Sequence, residues 1–208
     1  MKKYLIADRV TSLSDVYDTI VGGDAIGFQE QFTAFLQEYL SFHCVPHQKE
    51  KAYQAMCFML IFVLLGREYD VRMEQDAGHG RSDITAHPFT AQRSLAFIFE
   101  IKSVGHYLKR NGKRSLKTAE QTRKSLEKAK IEALRQLADR RYRERVPRHA
   151  TKVHEFAYVF CGKFCVAAVR TLQRNSTGDW EEVAANSTVV SESKTDEDIE
   201  DEDEDEEV

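Results

Sequence analysis

The stretch 78-GHGRSDITAHPFTAQRSLAFIFEIK-102 decides the fold, because it has the pattern of two β-strands that carry ionisable side chains to one place. Those side chains are Asp83, Glu100 and Lys102. Glu100 and Lys102 stand two positions apart in an apolar run, so in a strand both project from the same face. A charge that is buried without a partner costs several kcal/mol. We therefore expect this strand to hold a site rather than only to fill a core.

The chain of 208 residues suits one domain with appendages, and its 42% hydrophobic content is sufficient for an ordinary core. Its formal net charge of −4 conceals two segments of opposite sign. Residues 103–152 contain sixteen lysines and arginines against five acids, a net +11, whereas residues 179–208 contain fifteen acids against one lysine, a net −14. The body of the protein is therefore basic, and an acidic tail masks that charge.

Cysteine spacing and hydropathy indicate the class of protein. The four cysteines lack the CxxC spacing of a zinc site, and two of them lie in apolar runs where a free thiol acts as a small hydrophobic group. The first residues lack the apolar segment of a signal peptide, and the longest apolar run, residues 56–65, is shorter than the roughly 20 residues that a bilayer requires. We expect an intracellular protein, cytoplasmic or nuclear, with no membrane partner. The sequence does not indicate an oligomeric state.

Hydrophobic periodicity and turn residues predict helices, then three strands, then a long helix, then two more strands. The predicted elements are helices at 12–23, 24–40 and 49–65, strands at 69–73, 81–87 and 95–103, a mobile basic loop at 105–117, a helix at 118–145, and strands at 155–160 and 164–169.

These elements predict three parts of the chain. Residues 1–46 form packing helices, residues 47–170 form the core, and residues 171–208 form an acidic tail. We expect the tail to be disordered, because its like charges repel and it has almost no apolar surface to bury.

The residue types at 83 and 100–102 suit phosphodiester hydrolysis. Mg²⁺ prefers one or two carboxylates together with waters and phosphate oxygens, and Asp83 and Glu100 supply the carboxylates. Such a cation neutralises charge on the phosphoryl group and activates a water. The backbone carbonyl of Ile101 is a candidate third ligand, and Lys102 is a candidate to position the water and stabilise developing charge. The sequence therefore predicts an Mg²⁺ or Mn²⁺ site.

Six motifs occur in one order between residues 16 and 169. They are GDAIGFQEQF (23–32), E-x-x-Y (Glu50 and Tyr53), GHGRSDI (78–84), FEIK (99–102), EALRQL (132–137) with a following Tyr142, and AYVFCGK (157–163). In this order the chain resembles the PD-(D/E)XK nuclease superfamily, and in particular the nuclease domain found at the C-terminal end of predicted AAA-ATPase-like proteins.

The resemblance implies an α/β fold with a restriction-endonuclease-like core, in which helices flank a mixed central sheet. It implies that Asp83, Glu100 and Lys102 are the catalytic signature of an Mg²⁺-dependent nuclease and that Gln136 is an accessory residue on the long helix. Glu50 matches an acidic position of the first core helix that can lie near the metal in related nucleases, so it is a further candidate ligand.

The sequence departs from this family in two ways. Asp76 stands where the family commonly has a glutamate, and Ser82 stands where an aromatic residue is usual, but neither position is a metal ligand. The chain also lacks the GxxxxGK[ST] phosphate-binding loop of an ATPase, so we expect no ATP-coupled activity.

The basic segment is a candidate nucleic-acid-binding surface, because a net +11 next to a phosphodiester site suits a polyanion. DNA is favoured over RNA as the partner. The acidic tail could contact this segment within the same chain and weaken nonspecific binding. The candidate contact residues are Lys109, Arg110, Lys113, Arg114, Arg123, Lys124 and Arg135.

Three alternatives remain at this point. Asp83 and Glu100 could be surface acids that pair with Arg81 and Lys102. The domain could bind nucleic acid, or act as a subunit of a complex, without cutting. The acidic tail could instead make the protein a chaperone of basic proteins.

Overall fold

The computed structural model describes residues 13–39, 50–110 and 113–183 of the chain. The helices are α1 (Leu13–Gly22), α2 (Ala25–Tyr39), α3 (Glu50–Leu65) and α4 (Ala119–Arg140), with a short 3-10 helix at Tyr142–Arg145. The strands are β1 (Tyr69–Ala77), β2 (Gly80–Pro88), β3 (Leu95–Ser103), β4 (Tyr107–Arg110), β5 (Lys113–Leu116), β6 (Lys152–Cys161), β7 (Phe164–Arg174) and β8 (Trp180–Glu182).

Six strands form one mixed sheet in the order β1-β2-β3-β6-β7-β8. The β3–β6 pair is parallel, and every other neighbouring pair in this sheet is antiparallel. Two parallel neighbours need a crossover connection, and α4 lies within it between β3 and β6. The structure confirms the predicted α/β class, with a mixed central sheet flanked by helices.

The alternation of side chains along β3 separates two cores. Phe97, Phe99 and Ile101 pack with residues of α1, α2 and α3. Ala96 and Ile98 pack on the opposite face with residues of α4. Because strand side chains alternate, Glu100 and Lys102 project from the α4 face. The N-terminal helices α1 and α2 thus share one hydrophobic core with α3 and the sheet.

Helix α4 is capped by its own residues at the N-terminus and by a contact with the β1–β2 turn at the C-terminus. Thr118 accepts a hydrogen bond from the Gln121 N–H while the Gln121 side chain accepts from the Thr118 N–H, which forms a capping box. The sequence predicted a helix to residue 145, but α4 ends at Arg140, and Arg141 adopts a left-handed conformation with φ 52°. The His79 N–H donates to the Arg140 carbonyl at 2.9 Å, so the β1–β2 turn satisfies a carbonyl at the end of the helix.

Two predicted irregular regions contain strands. Residues 105–117, expected to be a mobile loop, include the antiparallel pair β4–β5, which forms a separate two-stranded sheet. Strand β1 continues past the predicted end at 73 to Ala77. Its pairing with β2 skips Glu74, whose φ is 52°, and resumes at Gln75 in the same register.

The ordered sheet also extends beyond the predicted core boundary at residue 170. Strand β7 continues to Arg174, and β8 pairs with its last residues. The Arg174 guanidinium lies 4.4 Å from the ring centroid of Trp180, so a cation–π contact joins the two strands. The disordered tail predicted from residue 171 is therefore wrong for residues 171–183, while residues 184–208 lie outside the described part.

None of the helices in the described ranges is both long enough and apolar enough to cross a membrane.

Candidate functional site

Strands β2 and β3 separate at the position of Asp83. Their backbone pairing runs from Ala86↔Phe97 to Ile84↔Phe99. Beyond this last pair, the Ile101 N–H donates to Asp83 Oδ2 at 2.7 Å instead of to a backbone carbonyl. The Asp83 carboxylate therefore lies in the fork between the two strands, and a backbone hydrogen bond fixes its position.

A residue of α3 holds the second oxygen of Asp83. Gln54 is buried, and its Nε2 donates to Asp83 Oδ1 at 2.9 Å. Glu50 stands one helical turn before Gln54, and residues at this spacing lie on the same side of a helix. Burial is the main cause of the raised pKa of Asp83, and the negative charge of Glu50 adds to it, so the start of α3 lies within electrostatic range of the fork.

Glu100 is almost fully enclosed, with an exposed fraction of 1%. Lys102 Nζ donates to Glu100 Oε1 at 2.8 Å, and the Lys102 side chain keeps 23% of its surface exposed. Glu100 Oε2 is buried and accepts no hydrogen bond from any residue that the structure describes. The pair therefore consists of a buried carboxylate with one free oxygen and an ammonium group that reaches solvent.

The electrostatics of the site oppose full ionisation of the two carboxyl groups. Burial, followed by the charge of Asp83, raises the pKa of Glu100 to about 7 despite the contact with Lys102. Burial also raises the pKa of Asp83, although the hydrogen bond from Ile101 acts in the opposite direction. Burial lowers the pKa of Lys102, but the hydrogen bond and charge of Glu100, with the charges of Glu50 and Asp83, outweigh it and raise the pKa overall. Lys102 therefore stays protonated at neutral pH.

These donor atoms fit a hard divalent cation. Two carboxylates would repel each other less with a cation between them, and the unpartnered Glu100 Oε2 lacks only a positive or hydrogen-donating neighbour. The Ile101 carbonyl lies on the same edge of β3 as its N–H, because both groups of a strand residue point to the same neighbour. Asp83, Glu100 and the Ile101 carbonyl could thus hold Mg²⁺ or Mn²⁺.

Glu50 is not placed as a third carboxylate ligand. Among residues 13–39, 50–110 and 113–183, no three His, Cys, Asp or Glu side chains form a group that could hold a metal ion. Glu50 contributes charge to the fork, as its effects on the pKa values of Asp83, Glu100 and Lys102 show. Its role as a ligand stays a prediction.

Gln136 and Tyr142 form a pair at the C-terminal end of α4. Gln136 Nε2 donates to the Tyr142 hydroxyl at 3.1 Å, and Tyr142 is fully buried against the sheet. Burial raises the pKa of Tyr142, and the charges of Glu100 and Asp83 add to the shift. Tyr142 therefore lies within electrostatic range of the two carboxylates, and the accessory role of Gln136 stays a prediction.

The alternative that Asp83 and Glu100 are surface acids requires them to pair with Arg81 and Lys102. Within the described ranges, the structure shows only one of these two pairs. Lys102 does pair with Glu100, but Glu100 is buried. Arg81 lies near a different acid, with its Nη1 3.9 Å from Glu74 Oε2. Asp83 instead accepts hydrogen bonds from a backbone amide and from Gln54.

The three predicted nucleic-acid contacts on α4 lie on its exposed surface. Arg123 borders a cleft between α2, α4 and the start of β7, and β6 separates β7 from β3. Lys124 and Arg135 are exposed, on a different side of α4 from the buried Ala133. The other four candidates belong to β4 and β5, whose register pairs Lys109 with Arg114 and Arg110 with Lys113.

Two site features were not anticipated from the sequence. The first is Gln54, for which the only available signal was its position four residues after Glu50. The second is the opening of the β2–β3 ladder at Asp83, which depends on strand pairing rather than on any local pattern.

Comparison with known proteins gives one match. The family model of the PD-(D/E)XK nuclease superfamily matches residues 48–169, which is more than half of the chain. This range contains Glu50, Gln54, the fork and α4. No curated protein and no solved structure gave a significant match.

Proposed function

We propose that this chain, which belongs to the PD-(D/E)XK nuclease superfamily, hydrolyses phosphodiester bonds of nucleic acid with a divalent metal ion, and that DNA is favoured over RNA. The observation that supports this most directly is the fork between β2 and β3. It brings together Asp83, Glu100 and Lys102, and one buried oxygen of Glu100 has no partner within the part of the chain that the structure describes.

Asp83, Glu100 and the Ile101 carbonyl would hold the ion, which we propose to be Mg²⁺ or Mn²⁺. When bound, such an ion neutralises charge on the phosphoryl group and lowers the pKa of a coordinated water. The chain itself contributes the rigid placement of its ligands. The Ile101 N–H and Gln54 fix both Asp83 oxygens, so Asp83 does not need to reorganise when the ion binds.

Lys102 would act on the substrate side of the centre. Its raised pKa keeps the ammonium group charged at neutral pH, so it acts as a hydrogen-bond donor rather than as a base. It is anchored to Glu100 and partly exposed, which suits a group that orients a water and stabilises negative charge on the phosphate.

The basic segment would supply the sequence-independent part of nucleic-acid binding. The strands β4 and β5 follow β3 directly and carry Lys109, Arg110, Lys113 and Arg114. Lysine and arginine contacts with phosphates release counterions, so affinity should fall as salt rises. The contacts of Arg123, Lys124 and Arg135 would extend this surface along α4.

The test is a cleavage assay with single substitutions in the full chain. Asp83→Ala and Lys102→Ala should each abolish metal-dependent cleavage of DNA, whereas Asp76→Ala, at an exposed acid on β1, should leave it intact. Matched DNA and RNA substrates test the preference between the two. Metal-independent cleavage, or cleavage that survives Asp83→Ala, would contradict the proposal. Nucleic-acid binding without any cleavage would instead support the alternative of a silent binding module.

A further inference from the structure

Gln54 has a buried amide oxygen with no visible role in the fold. The residue is 4% exposed, and its Nε2 donates to Asp83 Oδ1 at 2.9 Å. Its Oε1 is buried and has no hydrogen-bond partner among the described residues. Burying an amide oxygen without a donor is unfavourable, so this position calls for a donor.

The orientation of the Gln54 amide is determined by its neighbour. Rotation of the amide by half a turn would direct Oε1 at the Asp83 carboxylate, and both groups are acceptors. The helix around Gln54 is also fixed, because the Tyr53 hydroxyl donates to the Gly162 carbonyl at 2.9 Å and Cys57 is buried in the core. A flip of the amide would therefore cost Gln54 its hydrogen bond to Asp83.

A second unpartnered acceptor belongs to the same centre. Glu100 Oε2 is buried and no described residue donates to it, and the charge of Asp83 acts directly on Glu100. Two acceptors without donors thus lie beside Asp83. A hydrated Mg²⁺ ion usually keeps several of its waters, and these waters have hydrogens to donate.

We propose that Gln54 is a positioning residue of the metal centre, in which Nε2 holds Asp83 and Oε1 accepts a hydrogen bond from a water bound to the ion. The inference rests on the proposed function, because it requires a divalent ion at Asp83 and Glu100. It assigns α3 a direct part in ordering the waters of the centre. It also explains both unpartnered acceptors with one hydrated ion.

The first experiment measures Mn²⁺ affinity by electron paramagnetic resonance in the full chain. Gln54→Met removes both polar atoms at similar length, and we expect it to weaken Mn²⁺ binding roughly 10- to 100-fold, the usual effect of losing a group that supports a metal ligand. Gln31→Met is the matched control. Gln31 also has a buried amide oxygen to which no residue in the described ranges donates, but it borders an apolar groove between α1, α2 and α3. The control should bind Mn²⁺ like the wild type.

Circular dichroism establishes that each variant is folded. If Gln54→Met does not fold, Gln54→Ser takes its place, since its smaller side chain leaves room for a water. Wild-type affinity in a folded Gln54 variant overturns the inference.

The second experiment separates a role in ordering water from a purely structural one. Oxygen-17 relaxation reports how long waters stay on bound Mn²⁺, and we expect the residence time to shorten several-fold in the Gln54 variant. A glutamine that only supports Asp83 would change affinity but not the exchange of bound water, so an unchanged residence time also overturns the inference.

The outcomes distinguish this inference from the proposed function. Wild-type protein that binds Mn²⁺ as expected but cuts no nucleic acid would end the nuclease proposal and leave the role of Gln54 in place. Normal metal-dependent cleavage, together with a Gln54 variant that binds like the wild type, would end only the inference. Failure of the wild type to bind Mn²⁺ would contradict both.

Discussion

Glu100 on β3 and Glu155 on β6 are buried to nearly the same degree on one face of the sheet, but their surroundings differ. Glu155, fully buried, accepts from Arg143 Nη1 at 3.1 Å through one oxygen and from Arg170 Nε at 2.9 Å through the other. Glu100 has a single lysine partner and one oxygen with none among the described residues. A carboxylate that serves the fold is fully paired, whereas the one at the fork is left with a free oxygen.

The positions of the two glutamates explain this difference. Glu155 lies opposite Ile98 in the parallel ladder, inside the region that α4 and the following 3-10 helix cover. Arg143 belongs to that 3-10 helix, so the ion pair ties it to the sheet. Glu100 lies two residues further along β3, where β2 has already separated. The fork is therefore the place where a ligand could supply the partner that Glu100 Oε2 lacks among the described residues.

The largest effect should come from breaking the fully paired glutamate. Glu155→Ala leaves two largely buried arginines without their carboxylate, and removing one partner of a buried pair typically costs about 3–5 kcal/mol. Urea unfolding should show this loss as a lower midpoint. A loss below about 1 kcal/mol would contradict the structural role of Glu155.

At Glu100 we expect the opposite effect on stability: removing the carboxyl group should stabilise the metal-free protein at high pH. Its pKa in the folded state is raised to about 7 from 4.5, so the folded protein holds this proton more tightly than the unfolded chain does. The wild type therefore loses stability as the pH rises from about 4.5 to about 7, and a glutamine cannot titrate. In metal-free protein at pH 8, Glu100→Gln should be more stable than the wild type by up to roughly 3 kcal/mol.

This gain should disappear when thermal unfolding is measured near pH 4. A Glu100→Gln variant that is less stable than the wild type at pH 8 in the presence of a chelator would show that the glutamate stabilises the fold. The account that Glu155 stabilises the fold whereas Glu100 does not would then be wrong.

Metal binding should depend on pH for the same reason. The ion requires an ionised Glu100, and near pH 6 most molecules carry a proton on a group whose pKa is about 7. Apparent Mn²⁺ affinity should fall about tenfold between pH 8 and pH 6. Isothermal titration calorimetry in two buffers of different ionisation enthalpy would detect the released proton, and affinity that is independent of pH would argue against Glu100 as a ligand.

The smallest effect concerns the pair at the end of α4. Tyr142→Phe removes the acceptor of the Gln136 hydrogen bond and should cost about 0.5–1.5 kcal/mol in unfolding free energy. It should change Mn²⁺ affinity less than Gln54→Met does, because Gln54 touches Asp83 directly. A larger effect of Tyr142→Phe than of Gln54→Met on Mn²⁺ affinity would show that Gln136 and Tyr142 belong to the metal centre.

The sequence was sufficient to predict the α/β fold class, because the order of helices and strands follows from local patterns of apolar and turn residues. The structure brings Asp83, Glu100 and Lys102 to one fork, and their catalytic roles stay predictions. The metal, the substrate and the association with an AAA-ATPase stay predictions.

Other features depend on distant contacts, so the sequence did not reveal them. The polar run after residue 73 resembled a turn, whereas pairing with β2 on both sides of Glu74 makes it part of β1. The end of α4 is determined by a hydrogen bond from His79, about sixty residues earlier in the chain. Gln54 carries no local signature, since an amide inside a helix is usually a surface group until its partner is known.

The central claim is that the fork between β2 and β3 is a divalent metal site rather than a salt bridge. The most direct measurement is the anomalous scattering of a crystal soaked in Mn²⁺. We predict an anomalous peak within coordination distance of carboxylate oxygens of both Asp83 and Glu100, and no peak at this position in the Asp83→Ala variant. Unchanged contacts between Lys102 and Glu100 at saturating Mn²⁺, with no anomalous peak between the two acids, would contradict the account.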